Sequence, residues 1–461
     1  MPKTLKLLPF LALLLLTKNS NAQSSRNLSK LDTLLEKANN LGVFNGNLLV
    51  AEKGKIIYKK TIGWADASGN IKLTEDYRFH IGSVAKEFNA VGILMLKEQG
   101  KLSLDDKVSK YLPELPSWAD KISIRNLLQY TSGIPQSKWK ETKGDANNME
   151  NLKLVKTLIF EPGTKYDYNN NDVFLQKRII EKITGMSYKD FVMNKIFKPC
   201  GIKNAIVDPV ETDKLIAKAF NNQKIQDNFK YEIGGWPALT LNDFYKWSES
   251  INSFRLITPA STRELTIPFS TDDQTGLGYG TLAGNVLTSH RHDGTAMNYQ
   301  ALLISEPASS GTIILMTNNK QDNLDAISKS VLSVLAGKDY QQIKRSFVND
   351  YKDQLKNMDG QGIVAIYEKI KAESPDRYSF DSDNMMNEVG YFLLNNTKTD
   401  DAITVFTYNT KLFPVLGNVF DSLGEAYYTK GDKVKALENY TIALKLDPTL
   451  DSAEKMIKEL K

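Results

Sequence analysis

The chain has 461 residues, more than one domain usually holds, so two or three are expected. Hydrophobic residues make up 41% and charged residues 25%, which excludes a disordered or fibrous class. The formal charge of +5 includes Lys3, Lys6 and Lys18, so without its first segment the chain carries about +2 (5 − 3), too little to imply nucleic acid or a membrane surface.

Residues 1–22 read as a secretory signal. Lys3 and Lys6 form a basic start, Leu7 to Leu16 an apolar stretch too short to span a bilayer, and "NSNA" a small-residue end. Cleavage is expected after Ala22. Cys200 is the lone cysteine, so no internal disulfide forms even in an oxidising compartment. No later apolar run is long enough for a transmembrane helix.

Residues 43–63, "VFNGNLLVAEKGKIIYKKTIG", read as two strands around a tight turn at Lys53-Gly54-Lys55. Next comes "FHIGSVAKEFNAVGILMLKEQGKL", where Phe88 to Leu96 leave no polar face and Gly100 ends the helix. Ser83 as an N-cap would want Glu or Gln three residues on, but Lys86 stands there, a cation in the first turn opposing the helix dipole. Such local conflicts mark functional sites. Helical patterns dominate to about residue 200, including "IRNLLQYTSGI", "DVFLQKRIIEKITG" and "YKDFVMNKIF". Strands return in "GLGYGTLAG", "YQALLISEP" and "GTIILMTNN", the last two joined by a turn at "ASSG", and a helix over 323–336 follows. Strands at both ends of a helical stretch predict an α/β (α+β) domain: one antiparallel sheet completed by both termini, a helical subdomain, and a cleft between them.

The tail differs. "NVFDSLGEAYYTKGDKVKALENYTIALKLDP" matches a tetratricopeptide pattern at Leu423, Gly424, Tyr427, Ala436, Tyr440, Ala443 and Pro448. Val389, Gly390, Ala402, Phe406 and Pro414 stand in the same register 34 residues earlier. "DSAEKMIKEL" reads as a capping helix. The expected division is a leader over 1–22, a main domain over 28–337, a connection over 338–380 with one helix at "IVAIYEKIKAESP", and all-α repeats over 381–461.

Three Ser-x-x-Lys matches occur, at Ser83-Lys86, Ser137-Lys140 and Ser452-Lys455. Only the first opens a buried helix, where desolvation lowers the lysine pKa and lets it act as a base, with the amine beside the hydroxyl on one helix face. Other devices are missing. No Gly-x-Ser-x-Gly elbow exists, and His80, His290 and His292 form no His-Glu-x-x-His pair, so a zinc hydrolase has little support. Cys200 reads as a small packing residue.

Two further stretches join Ser83-x-x-Lys86 in order: Tyr168-Asn169-Asn170, and His292-Asp293-Gly294 in "SHRHDGTAMNYQALLISEP". Taken alone, Tyr168 and Asn170 also fit an Asn-rich turn, and His292 a strand end with Gly294 in a bulge. Together the three resemble the serine β-lactamase and penicillin-binding-protein superfamily, on its class C side. "LSLDDKVSKYLPELP", "ISIRNLLQYTSGIP", "GGWPALTLNDF" and "GLGYG" carry the same likeness, which covers about residues 40–336. The resemblance implies a Ser83 acyl-enzyme, with Lys86 and Tyr168 sharing proton transfer and the Tyr168 pKa pulled down by the neighbouring cation. It implies that Asn170 holds the substrate amide and orients the lysine. The backbone N–H groups of Ser83 and Thr295 would form the oxyanion hole, Thr295 following Gly294. His292 would face the cleft from the sheet edge, sharing its face with His290 while Arg291 points away. Where class C β-lactamases carry Lys, His292 is mostly neutral, which favours esters or D-amino-acid peptides over β-lactams.

The expected protein is a secreted, bacterial-periplasmic serine hydrolase of ester, amide or peptidoglycan-like peptide substrates. It needs no metal or organic cofactor, binds no nucleic acid, and has repeats open to a protein partner. The alternative is a catalytically weak penicillin-binding-like protein or scaffold whose repeats are the working part.

Overall fold

The computed structural model describes residues 28–136, 141–228, 232–307, 311–321, 323–340 and 342–461. The expected leader, Ser137-Lys140 and most of the turn at "ASSG" lie outside the described residues. The chain forms two compact units: of the described residues, 28–40 and 44–340 make one, and 41–43 and 342–461 the other. No helix among the described residues is long and apolar enough to cross a membrane.

The first unit begins with helix α1 (28–40), which buries Leu31, Leu34, Leu35 and Ala38 at helical spacing. Strands β1 (Gly46–Glu52) and β2 (Lys55–Ile62) follow. Lys53 and Gly54 both adopt positive φ (49° and 73°), the two-residue turn whose twist matches a hairpin. β3 (Phe79–His80) leads into a tight turn at Gly82–Ala85 and helix α2 (Lys86–Glu98). The helical middle holds α3 (Ile124–Leu128), α4 (Gly144–Lys153), α5 (Asn170–Thr184) and α6 (Tyr188–Phe191). Asn169 caps α5 through its side chain, and Gly185, at φ 67°, ends it. Then come β4 (Ile206–Val207), β5 (Pro237–Leu239), α7 (Leu241–Asn252) and α8 (Pro259–Glu264).

The closing strands are β6 (Tyr279–Ala283), β7 (Val286–Ala296), β8 (Tyr299–Glu306) and β9 (Gly311–Thr317), with α9 (Leu324–Leu335) after them. Six strands form one sheet in the order β2-β1-β9-β8-β7-β6. Every neighbouring pair is antiparallel. β1 thus pairs with β9, and the two ends of the domain complete a single sheet. β9 is buried along its whole length, as its unbroken apolar run requires of a central strand. β7 alternates instead from His290 onward, with His290, His292, Gly294 and Ala296 buried. A second, three-stranded sheet, β3-β5-β4, was not expected; its strands are too short to leave a periodic signature.

The second unit is all-α: α10 (Phe347–Asn357), α11 (Gly360–Glu373), α12 (Asn384–Asn395), α13 (Thr399–Leu412), α14 (Gly417–Lys430), α15 (Lys433–Leu446) and α16 (Asp451–Leu460). The stretch read as a connection holds two helices, α10 and α11. They share an apolar core with α12 and α13 through Phe347, Ile363, Tyr367, Met386, Val389 and Phe406.

Candidate active site

Helix α2 starts with three buried polar residues in succession of function: Lys86, Glu87 and Asn89 are 4%, 0% and 4% exposed. Each must find a partner, because a buried polar group left unpaired costs about 1–3 kcal/mol. Asn89 donates to the Val173 carbonyl on α5 and accepts from the Tyr188 hydroxyl. Lys86 Nζ lies 2.9 Å from Ser83 Oγ and 2.8 Å from the Tyr168 hydroxyl. No carboxylate among the described residues pairs with Lys86, and burial pulls its pKa down to about 7. Ser83 sits in the turn before the helix and caps nothing, so its hydroxyl is free for Lys86.

Tyr168 is held by its surroundings. Its ring packs against Tyr130 at 4.7 Å between centroids, and Tyr130 itself adopts φ 54° within a buried corner. The Tyr168 pKa moves against expectation: burial pushes the phenol well above its ordinary value, more than a hydrogen bond from Ser83 opposes. A lysine only partly charged at neutral pH, because burial holds its pKa at about 7, supplies a reduced field to lower a neighbouring phenol.

The turn bearing Ser83 meets β7 backbone to backbone, and two glycines allow it. A Cβ on Gly294 would stand 2.0 Å from the Ile81 carbonyl oxygen and 2.7 Å from Ser83 N. One on Gly82, at φ 53°, would stand 2.3 Å from Thr295 N. The backbones carrying the Ser83 and Thr295 amides are therefore closely apposed. An open cleft of about 370 Å³ lies in front, lined by Ser83, Tyr168, Gly294 and Thr295 together with Tyr166, Tyr279, Gln274, Asp272 and Asp293. Asn170 lies elsewhere: it lines a second, narrow cavity with Lys86, Asn89 and Trp236, and its Oδ1 is buried with no hydrogen-bond partner among the described residues.

His292 is a correction. It does not face the cleft; it is 1% exposed and places Nδ1 2.7 Å from Glu87 Oε1. His290 Nε2 lies 2.8 Å from the same oxygen, and Trp247 Nε1 donates to Glu87 Oε2 at 2.6 Å. Gly278 leaves room for the His292 ring, since a Cβ there would stand 2.6 Å from it. The expected sharing of a face by His290 and His292 holds, and Arg291 on the other face pairs with Asp325. The inward face of β7 at this level looks onto α2, and the buried Glu87 draws both imidazoles. Burial alone would raise the Glu87 pKa; the two histidines outweigh it and hold the carboxyl at about 2. Glu87, Trp247, Tyr130 and Asp293 were missed in the sequence. For Glu87 a signal existed, a carboxylate at the head of a helix apolar on all sides. The remaining Ser-x-x-Lys match with described residues, Ser452-Lys455, lies on α16, where Ser452 donates to Asp421.

A model of the Beta-lactamase family matches residues 31–338. The chain belongs to this family, which has serine hydrolases among its members. It is similar to a penicillin-binding protein of Bacillus subtilis (strain 168), with 27% identity over 67% of this chain and 76% of that protein. Its fold resembles the octameric penicillin-binding protein homologue from Pyrococcus abyssi, with a TM-score of 0.59, 21% identity, and coverage of 71% and 81%. It also resembles the D-amino acid amidase from Ochrobactrum anthropi SV3 in complex with L-phenylalanine, with a TM-score of 0.55, 21% identity, and coverage of 68% and 97%.

Proposed function

We propose that this chain is a secreted serine hydrolase that cleaves esters or amides through an acyl-enzyme on Ser83. The observation that carries the reading is Lys86, buried, without a carboxylate partner, and within hydrogen-bond reach of both Ser83 and Tyr168. Neutral Lys86 takes the proton of Ser83 Oγ as that oxygen bonds to the substrate carbonyl carbon. The oxyanion so formed accepts from the amides of Ser83 and Thr295. Tyr168, kept protonated by burial, passes its proton to the leaving oxygen or nitrogen and is reprotonated from Lys86. The carbonyl re-forms, the bond to the leaving group breaks, and the acyl group stays on Ser83. A water then loses a proton to Lys86, adds to the acyl carbon, and releases the acid as Ser83 Oγ recovers its proton.

Asn170 lines the narrow cavity behind Lys86 without a hydrogen bond to it, so in this reading Lys86 is positioned by Ser83 and Tyr168. Substrates with peptide-like amides fit the similarity to penicillin-binding and D-amino acid amidase proteins. We further read α12 to α15 as two tetratricopeptide repeats open to a protein partner, on the repeated match between Gly390 with Phe406 and Gly424 with Tyr440. The test of the hydrolase is an activated fluorophosphonate probe followed by peptide mass spectrometry. The adduct belongs on the Ser83 peptide and disappears in Ser83→Ala, together with ester hydrolysis. An adduct on another serine, or none, overturns the mechanism.

A further inference from the structure

The cleft in front of Ser83 contains two carboxylates that the proton transfers do not use. Asp293 lies between His292 and Gly294 on β7, on the strand face of Arg291 and Thr295 rather than that of the buried imidazoles, and it lines the cleft. Asp272 lines the same space, as do Tyr166 and Tyr279. No Lys or Arg is among the described residues that line it. Neither aspartate is engaged in an ion pair among the described residues. Asp293 is also near the reacting groups: after burial, its charge is one of those that hold the Tyr168 phenol up.

We propose that this cleft selects acyl substrates carrying an ammonium group close to the scissile carbonyl, with Asp293 as the main counter-charge and Asp272 at the mouth. This rests on the reading of Ser83 as nucleophile. Asp293 is the residue before Gly294, which packs so closely on the Ser83 turn that a Cβ there would stand 2.7 Å from Ser83 N. A carbonyl seated at the two amides therefore has its α-substituent within reach of the Asp293 side chain. The chemistry recognised is an aminoacyl ester or amide with a free amine. Tyr166 and Tyr279 line the same cleft with aromatic rings, which attract a cation. An anionic substituent at the same place, such as the carboxylate of a penicillin, meets like charge.

The test separates binding from chemistry. Alanine p-nitroanilide, as both enantiomers, is titrated calorimetrically into full-length Ser83→Ala, beside its N-acetyl and N-succinyl derivatives. The free amine of one enantiomer should bind about fivefold or more tightly than the N-acetyl form, as a charge-assisted hydrogen bond exceeds a neutral one. The N-succinyl form should bind most weakly, and the spread should shrink on raising salt from about 0.05 to 1 M. Asp293→Asn in the Ser83→Ala background should bring the free amine down to the N-acetyl level. Asp272→Asn, at an exposed position, should narrow the gap by a smaller factor. Equal binding of all three compounds, or a preference for the amine that survives both aspartate substitutions, overturns the proposal. Because Ser83 is absent from this assay, a failure of the nucleophile assignment appears only in the probe labelling and leaves the binding order intact.

Discussion

The head of α2 and the stack from α12 to α15 are both helical and both buried, by opposite means. In α12 and α14 a glycine on one helix receives an aromatic ring from the next, Phe406 against Gly390 and Tyr440 against Gly424. Each partner lies 16 residues away in the chain, and the pair recurs after 34. At the head of α2 the buried groups are a lysine, a carboxylate and an amide. Apart from Ser83, three residues before Lys86, their partners lie 82, 84, 99, 160, 203 and 205 residues away. Apolar packing tolerates approximate fits, and a missing methylene there costs on the order of 1 kcal/mol. A buried charge tolerates none, because removing its partner leaves the whole desolvation penalty. The stack can hold its shape on local rules. The head of α2 exists only when the whole domain closes around it.

The largest effect expected is at Lys86. As the base it must be neutral, and burial sets its pKa at about 7. Below that pH the neutral fraction falls tenfold per unit, so kcat/KM for a neutral ester should climb with unit slope from pH 5 to about 7 and level off above it. Lys86→Met should lower kcat/KM by about 10²–10⁴-fold and abolish this limb. A profile that stays flat from pH 5 to 8 in the unmodified enzyme would remove Lys86 from the role.

Next is Glu87. Its folded pKa, about 2, lies below the ordinary carboxylate value, so its ionised form stabilises the fold. The contribution is fully present above about pH 4.5 and is lost as the pH falls towards 2. It amounts to about 3 kcal/mol at neutral pH by linkage. Glu87→Gln keeps the shape but removes the charge that both imidazoles face. Urea unfolding at pH 7 should show a loss on the order of 3 kcal/mol, and the acid-side fall in stability between pH 4.5 and 2 should flatten. An unchanged midpoint would mean that the His290–Glu87–His292 set is no brace between α2 and β7.

How much could be read in advance follows the same division. Ser83 and Lys86 were legible because three residues of spacing and an apolar run are local facts, and the pairing of β1 and β2 because a tight turn announces it. The 34-residue register marked α12 to α15. His290 and His292 were legible as sharing a face, but not as to where that face looked, since Glu87 lies some 200 residues earlier. The same gap hid Asp293: its meaning depends on which side of β7 fronts the cleft. β3, β4 and β5, of two or three residues each, carry too few side chains for any period to show.

The smallest expected effect separates the two glycines of the helical stack. Alanine is favoured over glycine inside a helix by about 1 kcal/mol, so each Gly→Ala change starts with a gain. At Gly424 the added Cβ would meet the Tyr440 ring at 3.0 Å, a contact that a shift of a few tenths of an ångström relieves. At Gly390 it would meet the Phe406 ring at 2.4 Å, and Phe406 is fully buried in the core shared with α10 and α11. That ring cannot move without displacing Val389, Tyr367 or their neighbours, and overpacking of this kind costs about 1–3 kcal/mol. Gly424→Ala should therefore leave the unfolding midpoint of the helical unit within about 0.5 kcal/mol of the parent, while Gly390→Ala should lower it by about 1–2 kcal/mol. Differential scanning calorimetry of the two variants, followed by far-UV circular dichroism, reads the difference directly. Equal destabilisation at both positions would mean that the two hairpins are packed alike and that the wider gap at Gly424 has no energetic consequence.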